Sequence, residues 1–208
     1  MINLSRGGTF DKSANPGILA AFERAVNYAN RRGALFVTIA DNDAADLDHN
    51  GNLVKLPCEV ANALCVSGTG PIAAASITGP WTDVDAPAPY SAFGRSAIDV
   101  AAPSGMGNPG QMFRRVWLPC RTTPTATTGA PACRSGPMPR LAQGTGTSFA
   151  APHVAGLAAL LVAQLGHGNP ALIRARILQS ADDLGEPGVD PYYGHGRINI
   201  ARALGVVE

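Results

Sequence analysis

GTGTSFAAPHVAG, Gly144 to Gly156, leads into a stretch that stays almost wholly apolar as far as Leu165. The run from Phe149 to Leu165 is rich in Ala and Leu and has no polar face. An apolar run of that length reads as a core helix rather than a surface one. Ser148 then falls at the helix's first turn, where unpaired backbone N–H groups and the helix dipole favour negative charge. Pro152 falls within the first turn or so, where a missing N–H costs little. A serine at such a place is either an N-cap, a role Ser and Thr fill well, or a nucleophile whose product anion the helix end stabilises.

Working outward, Ile2 to Ser5 reads as a short strand, followed by a Gly-Gly turn and a loop to Pro16. From Pro16 to Arg32, Ile18, Leu19, Phe22, Val26 and Ala29 recur near helical spacing, and Gly33 ends the helix. Leu35 to Ala40 is a continuous apolar run, as a strand of a buried parallel sheet requires. Ala63 to Ser67, about Ala73 to Thr78, and Ile98 to Ala101 read as further strands. A Pro/Thr/Gly-rich insertion covers about 104–143. A helix from about Pro170 to Ala181 and a short closing helix after Asn199 follow the apolar one. Strand, helix, strand order predicts an α/β fold: a doubly wound, mostly parallel sheet with flanking helices. Its site is expected at the carboxyl ends of the strands, where Ser5 to Gly8 and Ala40 to Asn42 both lie.

The segment G-T-S-F-A-A-P-H-V-A-G closely resembles the serine motif of the subtilisin-like serine peptidases (subtilases). INLSRGG (Ile2 to Gly8) resembles that family's substrate-binding strand. ALFVTIADND (Ala34 to Asp43) resembles the strand that runs into the oxyanion-hole asparagine. SAFGRSAIDVAAPSG (Ser91 to Gly105) and YYGHGRINIARAL (Tyr192 to Leu204) resemble two later segments, in the same order. The resemblance implies a partial subtilisin-like three-layer fold. It implies that residues 1–208 form the C-terminal portion of one catalytic domain. Ser148 would attack a peptide carbonyl, and Asn42 would donate to the oxyanion beside the Ser148 N–H. Ser5, Arg6, Gly7, Ala40, Asp41 and Thr147 would contact substrate. The residues alone also allow Asn42 an Asx turn in the polar loop ADNDAADLDHNGN.

Two motifs of the family, D-[ST]-G for the catalytic Asp and H-G-T-x-[VA]-A-G for the catalytic His, are absent from the chain. His153 lies about 140° around the helix from Ser148 and faces elsewhere. His49 sits in an acidic loop, and His167 and His195 sit in Gly-rich turns. Ser148 alone is therefore expected to be nearly inert, since loss of the serine or histidine of a subtilisin costs about 10⁶ in turnover. The expected partners are a protein or peptide substrate and the missing N-terminal part of the domain. A non-catalytic peptide-binding module derived from the peptidase fold is the rival reading. With earlier strands lacking, Ile2 to Ser5 becomes an open sheet edge, and poor solubility of the isolated chain is expected.

Two positions depart from the family. Asp41 stands where Gly is usual, and its carboxylate would either favour basic side chains from the pocket wall or face solvent. Arg6 replaces an apolar residue. Altered substrate preference is the expectation. Asp46, Asp48 and Asn50 resemble half of an EF-hand loop, but Pro57 stands at the twelfth position. The segment reads as a solvated acidic turn, with no residue assigned to a metal. No cofactor is required, though the resemblance allows a structural calcium. Arg114, Arg115, Arg121, Arg134 and Arg140 make the insertion basic, read as a solvated loop covering one end of the domain.

A net charge of +1 over 208 residues speaks against nucleic-acid or membrane-surface binding of the electrostatic kind. The apolar helix is interrupted by Pro152, His153 and Gly156, so it is not read as a membrane span. The N-terminus lacks signal-peptide character. Cys58, Cys65, Cys120 and Cys133 contain no C-x-x-C, and sequence proximity favours the pairs 58–65 and 120–133. Paired cysteines imply a secreted parent enzyme; four buried free thiols in a cytosolic chain are the alternative.

Overall fold

The structure, a computed structural model, describes residues 1–107, 112–120, 141–166 and 168–207. Eleven strands and four α-helices are formed among them: β1 Ile2–Leu4, β2 Gly8–Asp11, α1 Ile18–Arg31, β3 Phe36–Ile39, β4 Leu53–Leu56, β5 Ala63–Gly70, β6 Ala73–Ala74, β7 Trp81–Thr82, β8 Ala86–Pro87, β9 Val100–Pro103, β10 Val116–Pro119, β11 Leu141–Gly144, α2 Thr147–Leu165, α3 Pro170–Gln179 and α4 Ile200–Ala203.

The main sheet runs β1-β3-β5-β9, all parallel, with the short β8 antiparallel to the end of β5. Side chains alternate across it as a pleated strand demands. Val37, Ile39, Leu64 and Val66 point into a core completed by Val154, Leu157 and Leu161 of α2 and Ile173 and Ile177 of α3. Phe36 and Ala63 point the other way, onto Val26 of α1 and Val54 and Leu56 of β4. The result is three layers, helices on both faces of a mostly parallel sheet, as the continuous apolar strands imply.

α2 meets the length and hydropathy of a membrane span, but Ala150, Ala151, Val154, Leu157, Ala158 and Leu161 are buried in the protein's own core. β1 is an edge: it pairs with β3 on one side and with no described residue on the other, and Ile2 is exposed.

The short strands differ most from expectation. The segment from Ala73 to Thr78 yields only the two-residue β6, because a turn tied by the Ser76 hydroxyl to the Gly79 carbonyl folds it back on β7. Gly8–Asp11, which the sequence places in a loop, pairs antiparallel as β2 with Leu53–Leu56, β4, a segment the sequence leaves unassigned. The described ends of the insertion also pair, β10 with β11; Arg121, Arg134, Arg140 and Cys133 lie outside the described residues. Cys58 and Cys65 form a disulfide, as proximity predicts, and Cys120 is disulfide-bonded too.

Candidate active site

Three segments far apart in sequence meet where β1 and β3 end: Ser5 to Gly7, Ala40 to Asn42, and the start of α2. The helix begins one residue before Ser148, with Gly146 in the N-cap position and no side-chain cap. Ser148 therefore lies inside the first turn and is not the cap. Its Oγ is directed at the Ser5 carbonyl (3.4 Å), while the Ser5 hydroxyl donates to the Ser148 carbonyl (3.1 Å).

Pro152 explains the second bond. It sits deeper in α2 than the first turn, contrary to the sequence expectation, and has no N–H. The acceptor that its N–H would have served, four residues back, is the Ser148 carbonyl. Ser5 supplies the missing donor from another strand. Pro152 thus ties the Ser148 backbone to the expected substrate strand.

Asn42 is exposed at the end of β3. Its Oδ1 accepts from the Thr147 N–H (2.8 Å) and the Thr147 hydroxyl (3.1 Å). A backbone N–H can only donate, so the amide orientation is fixed and Nδ2 is the end left over. Nδ2 bonds to no described residue, and the Ser148 N–H has no acceptor within the helix. Two donors are thereby free beside a serine hydroxyl, the arrangement that stabilises an oxyanion in acyl transfer. The Asx turn in which the Asn42 side chain would cap its own loop is not formed; Thr147 holds that oxygen instead.

Gly146 fits this geometry as other residues would not. Its φ of +135° is one that side chains disfavour, and a Cβ there would sit 3.3 Å from Asn42 Oδ1. Its N–H donates to Tyr90 Oη (2.9 Å), whose own hydrogen reaches the Gly105 carbonyl (2.5 Å). Burial pushes the Tyr90 phenol above its ordinary value, against the pull of its Ser104 and Gly146 hydrogen bonds, so it stays neutral and able to donate.

The expected substrate contacts divide. Ser5, Arg6 and Gly7 lie on the open rim, with Arg6 and Gly7 exposed. Arg6 makes no ion pair with a described residue. Thr147 is fully buried, so its side chain orients Asn42 and is not offered to a substrate. Ala40 is also fully buried, with its N–H bonded to the Val66 carbonyl, which leaves backbone contacts at most. Asp41 is partly exposed but is not a free carboxylate. Its φ of +89° turns the side chain onto Gly7 and Lys55, whose ammonium is 3.6 Å away. Sequence reasoning missed Tyr90 and Lys55; a single lysine inside the apolar run LVKLP was the available signal.

None of the described histidines bonds to Ser148. His153 Nδ1 meets the Phe149 carbonyl, His49 pairs with Asp46, and His195 lines a cleft of about 720 Å³ between α1 and α3. That cleft holds Leu35 and Asn62, which precede β3 and β5, so it opens at the opposite, amino end of the sheet; His167 lies outside the described residues. The carboxylates of the acidic turn after β3 are already engaged within the protein. Asp48 is consumed by the Arg95 and Ser96 N–H groups and the Ser96 hydroxyl, and Asp46 by His49. Among the described residues no three His, Cys, Asp or Glu converge to hold a metal.

The sequence profile of the subtilase family matches residues 1–196. The chain is 32% identical to thermitase from Thermoactinomyces vulgaris over 206 residues, covering 98% of the chain and 53% of thermitase. It is 31% identical over 161 residues to an extracellular protease of Xanthomonas campestris pv. campestris, covering 77% of the chain and 20% of that protein. The solved structure of a lanthipeptide protease superposes with a TM-score of 0.79 at 25% identity, over all of this chain and 61% of the other. The chain thus spans about half the length of thermitase. With three-layer fold, serine motif and profile in agreement, the chain belongs to the subtilase family of serine peptidases.

Proposed function

We propose that these residues are the C-terminal portion of a subtilase catalytic domain, from an endopeptidase that hydrolyses peptide bonds by acyl transfer through Ser148. The observation that carries the reading is the Asn42–Thr147 pair. It fixes an amide donor beside the serine with its oxygen already spent. In the reaction, Ser148 Oγ bonds to the scissile carbonyl carbon as its proton passes to a histidine. Asn42 Nδ2 and the Ser148 N–H stabilise the oxyanion. The C–N bond then breaks, the histidine returns the proton to the leaving amine, and water releases the acyl group by the same steps. That histidine and the aspartate that orients it come from a segment outside these 208 residues. The substrate is a protein or peptide lying along Ser5 to Gly7. Export of the parent enzyme is supported by the Cys58–Cys65 disulfide and by an extracellular protease among the relatives.

Fluorophosphonate labelling tests this. The chain alone should label at background, and the chain joined to a subtilase segment bearing D-[ST]-G and H-G-T should label at Ser148 and lose the label in Ser148→Ala. A folded, joined protein that stays unlabelled refutes the peptidase and leaves the binding module.

A further inference from the structure

Lys55 is the buried cation among the described residues, its side chain only 3% exposed, in the middle of a strand whose neighbours are Val54 and Leu56. Taking an ammonium out of water is costly unless every donor finds a partner. Here each does. Nζ donates to the Thr9 hydroxyl (2.7 Å) and to Asp43 (2.5 Å), and Asp41 lies 3.6 Å away.

The partners come from both sides of the cleft. Thr9 faces Lys55 across the β2–β4 pair, and β2 continues directly from Ser5 to Gly7. Asp41 and Asp43 flank Asn42, and the second Asp41 oxygen accepts the Asn42 N–H (3.0 Å). Asp41 also holds a positive φ that L-residues avoid, and its Oδ2 fits against Gly7, where a Cβ would lie 3.2 Å away. Among the described residues no other cation pairs with either aspartate.

We propose that Lys55 is a positioning residue that sets the Asp41–Asn42–Asp43 turn, and through it the aim of the Asn42 amide, relative to the substrate strand. The proposal rests on the reading of Asn42 as oxyanion donor. Without the ammonium, two carboxylates on one tight turn repel, and Asp41 loses the contact that keeps it in its disfavoured conformation.

The test reads the turn directly, so it does not depend on activity. In the joined protein, labelled with ¹⁵N and ¹³C, the Asn42 side-chain amide is assigned by its loss in Asn42→Asp. Lys55→Met should shift or broaden that pair and the Thr147 backbone amide, which donates to Asn42, while core methyl signals of Val154 and Leu157 stay in place. A folded Lys55→Met with unmoved Asn42 and Thr147 signals overturns the proposal. Should Lys55→Met not fold, Asp43→Asn, which leaves Lys55 paired with Asp41 and Thr9, should move the same signals less; no movement overturns it equally. In the joined, labelling-competent protein, Lys55→Met should slow turnover about 10- to 100-fold with little change in KM, short of the 10² to 10³ for deleting a donor outright. If the joined wild type is inert, the peptidase reading fails while the spectra still decide the role of Lys55.

Discussion

Ser5→Ala isolates the link between Pro152 and Ser148. The Ser148 carbonyl has lost its helical donor to Pro152 and accepts from Ser5 Oγ at 3.1 Å instead. Removing that hydroxyl strands an acceptor, which costs roughly 1–3 kcal/mol when the group is buried. Ser148 is half-buried, so water recovers part of this, and about 1 kcal/mol is expected. For a chain of this size that lowers Tm by roughly 2–4 °C. The sharper measurement is a double-mutant cycle by urea unfolding, reading the midpoint at unchanged m-value. Pro152→Ala restores an N–H four residues after Ser148, so in that background Ser5→Ala should cost nearly nothing. The coupling should be about 1 kcal/mol, beyond the 0.3–0.5 kcal/mol within which independent sites add. Equal costs of Ser5→Ala in both backgrounds would refute the compensation.

Four further outcomes are expected. Replacing Cys58 and Cys65 together by alanine should destabilise the chain by about 2.5 kcal/mol, the chain-entropy value for so short a loop, read as a urea midpoint under non-reducing conditions. Burial, then Asp83, Asp190 and Asp85, push the Tyr193 phenol up to about 12. Its folded pKa lies above the unfolded value, so its contribution is intact below pH 10 and fades from 10 to 12; Tyr193→Phe should remove that fall from a stability–pH scan. Gly146→Ala forces a side chain into a φ of +135° beside Asn42 Oδ1; it should cost about 1–3 kcal/mol and abolish Ser148 labelling in the joined protein, and retained labelling counts against the N-cap geometry. The open edge of β1 should make the isolated chain associate, and light scattering that shows a monodisperse monomer with a cooperative melt contradicts this.

What could be read in the sequence, and what could not, follows from the range of the interactions. β3 and β5 are legible because burial on both faces writes a largely apolar run, α2 through the sheer length of its apolar run, and α1 because one buried face writes a helical period. Ser148 and Asn42 stand out because each lies in a contiguous segment that resembles a family motif, whereas their partners Ser5 and Thr147 lie far away in the chain. The β2–β4 pair joins Gly8 to Leu56 with a helix and a strand between them, and no local turn signal announces such a pairing. The insertion hid its β10–β11 base for the same reason: VWLP and LAQG acquire meaning only when placed opposite each other.

Asp41 shows what this hides at the site itself. As a letter in place of glycine it suggests a charge on offer to substrate. In the fold, the backbone twist that glycine would have tolerated carries the carboxylate onto Gly7 and Lys55, a residue placed there by the unread β2–β4 pair. The charge that the sequence displays is thereby largely spent within the protein. Arg6 has no such partner among the described residues and remains exposed on the rim. Any charge preference along Ser5 to Gly7 should then follow Arg6 and favour acidic side chains, and it is the Arg6→Leu change, more than Asp41→Gly, that should alter a cleavage profile by charge.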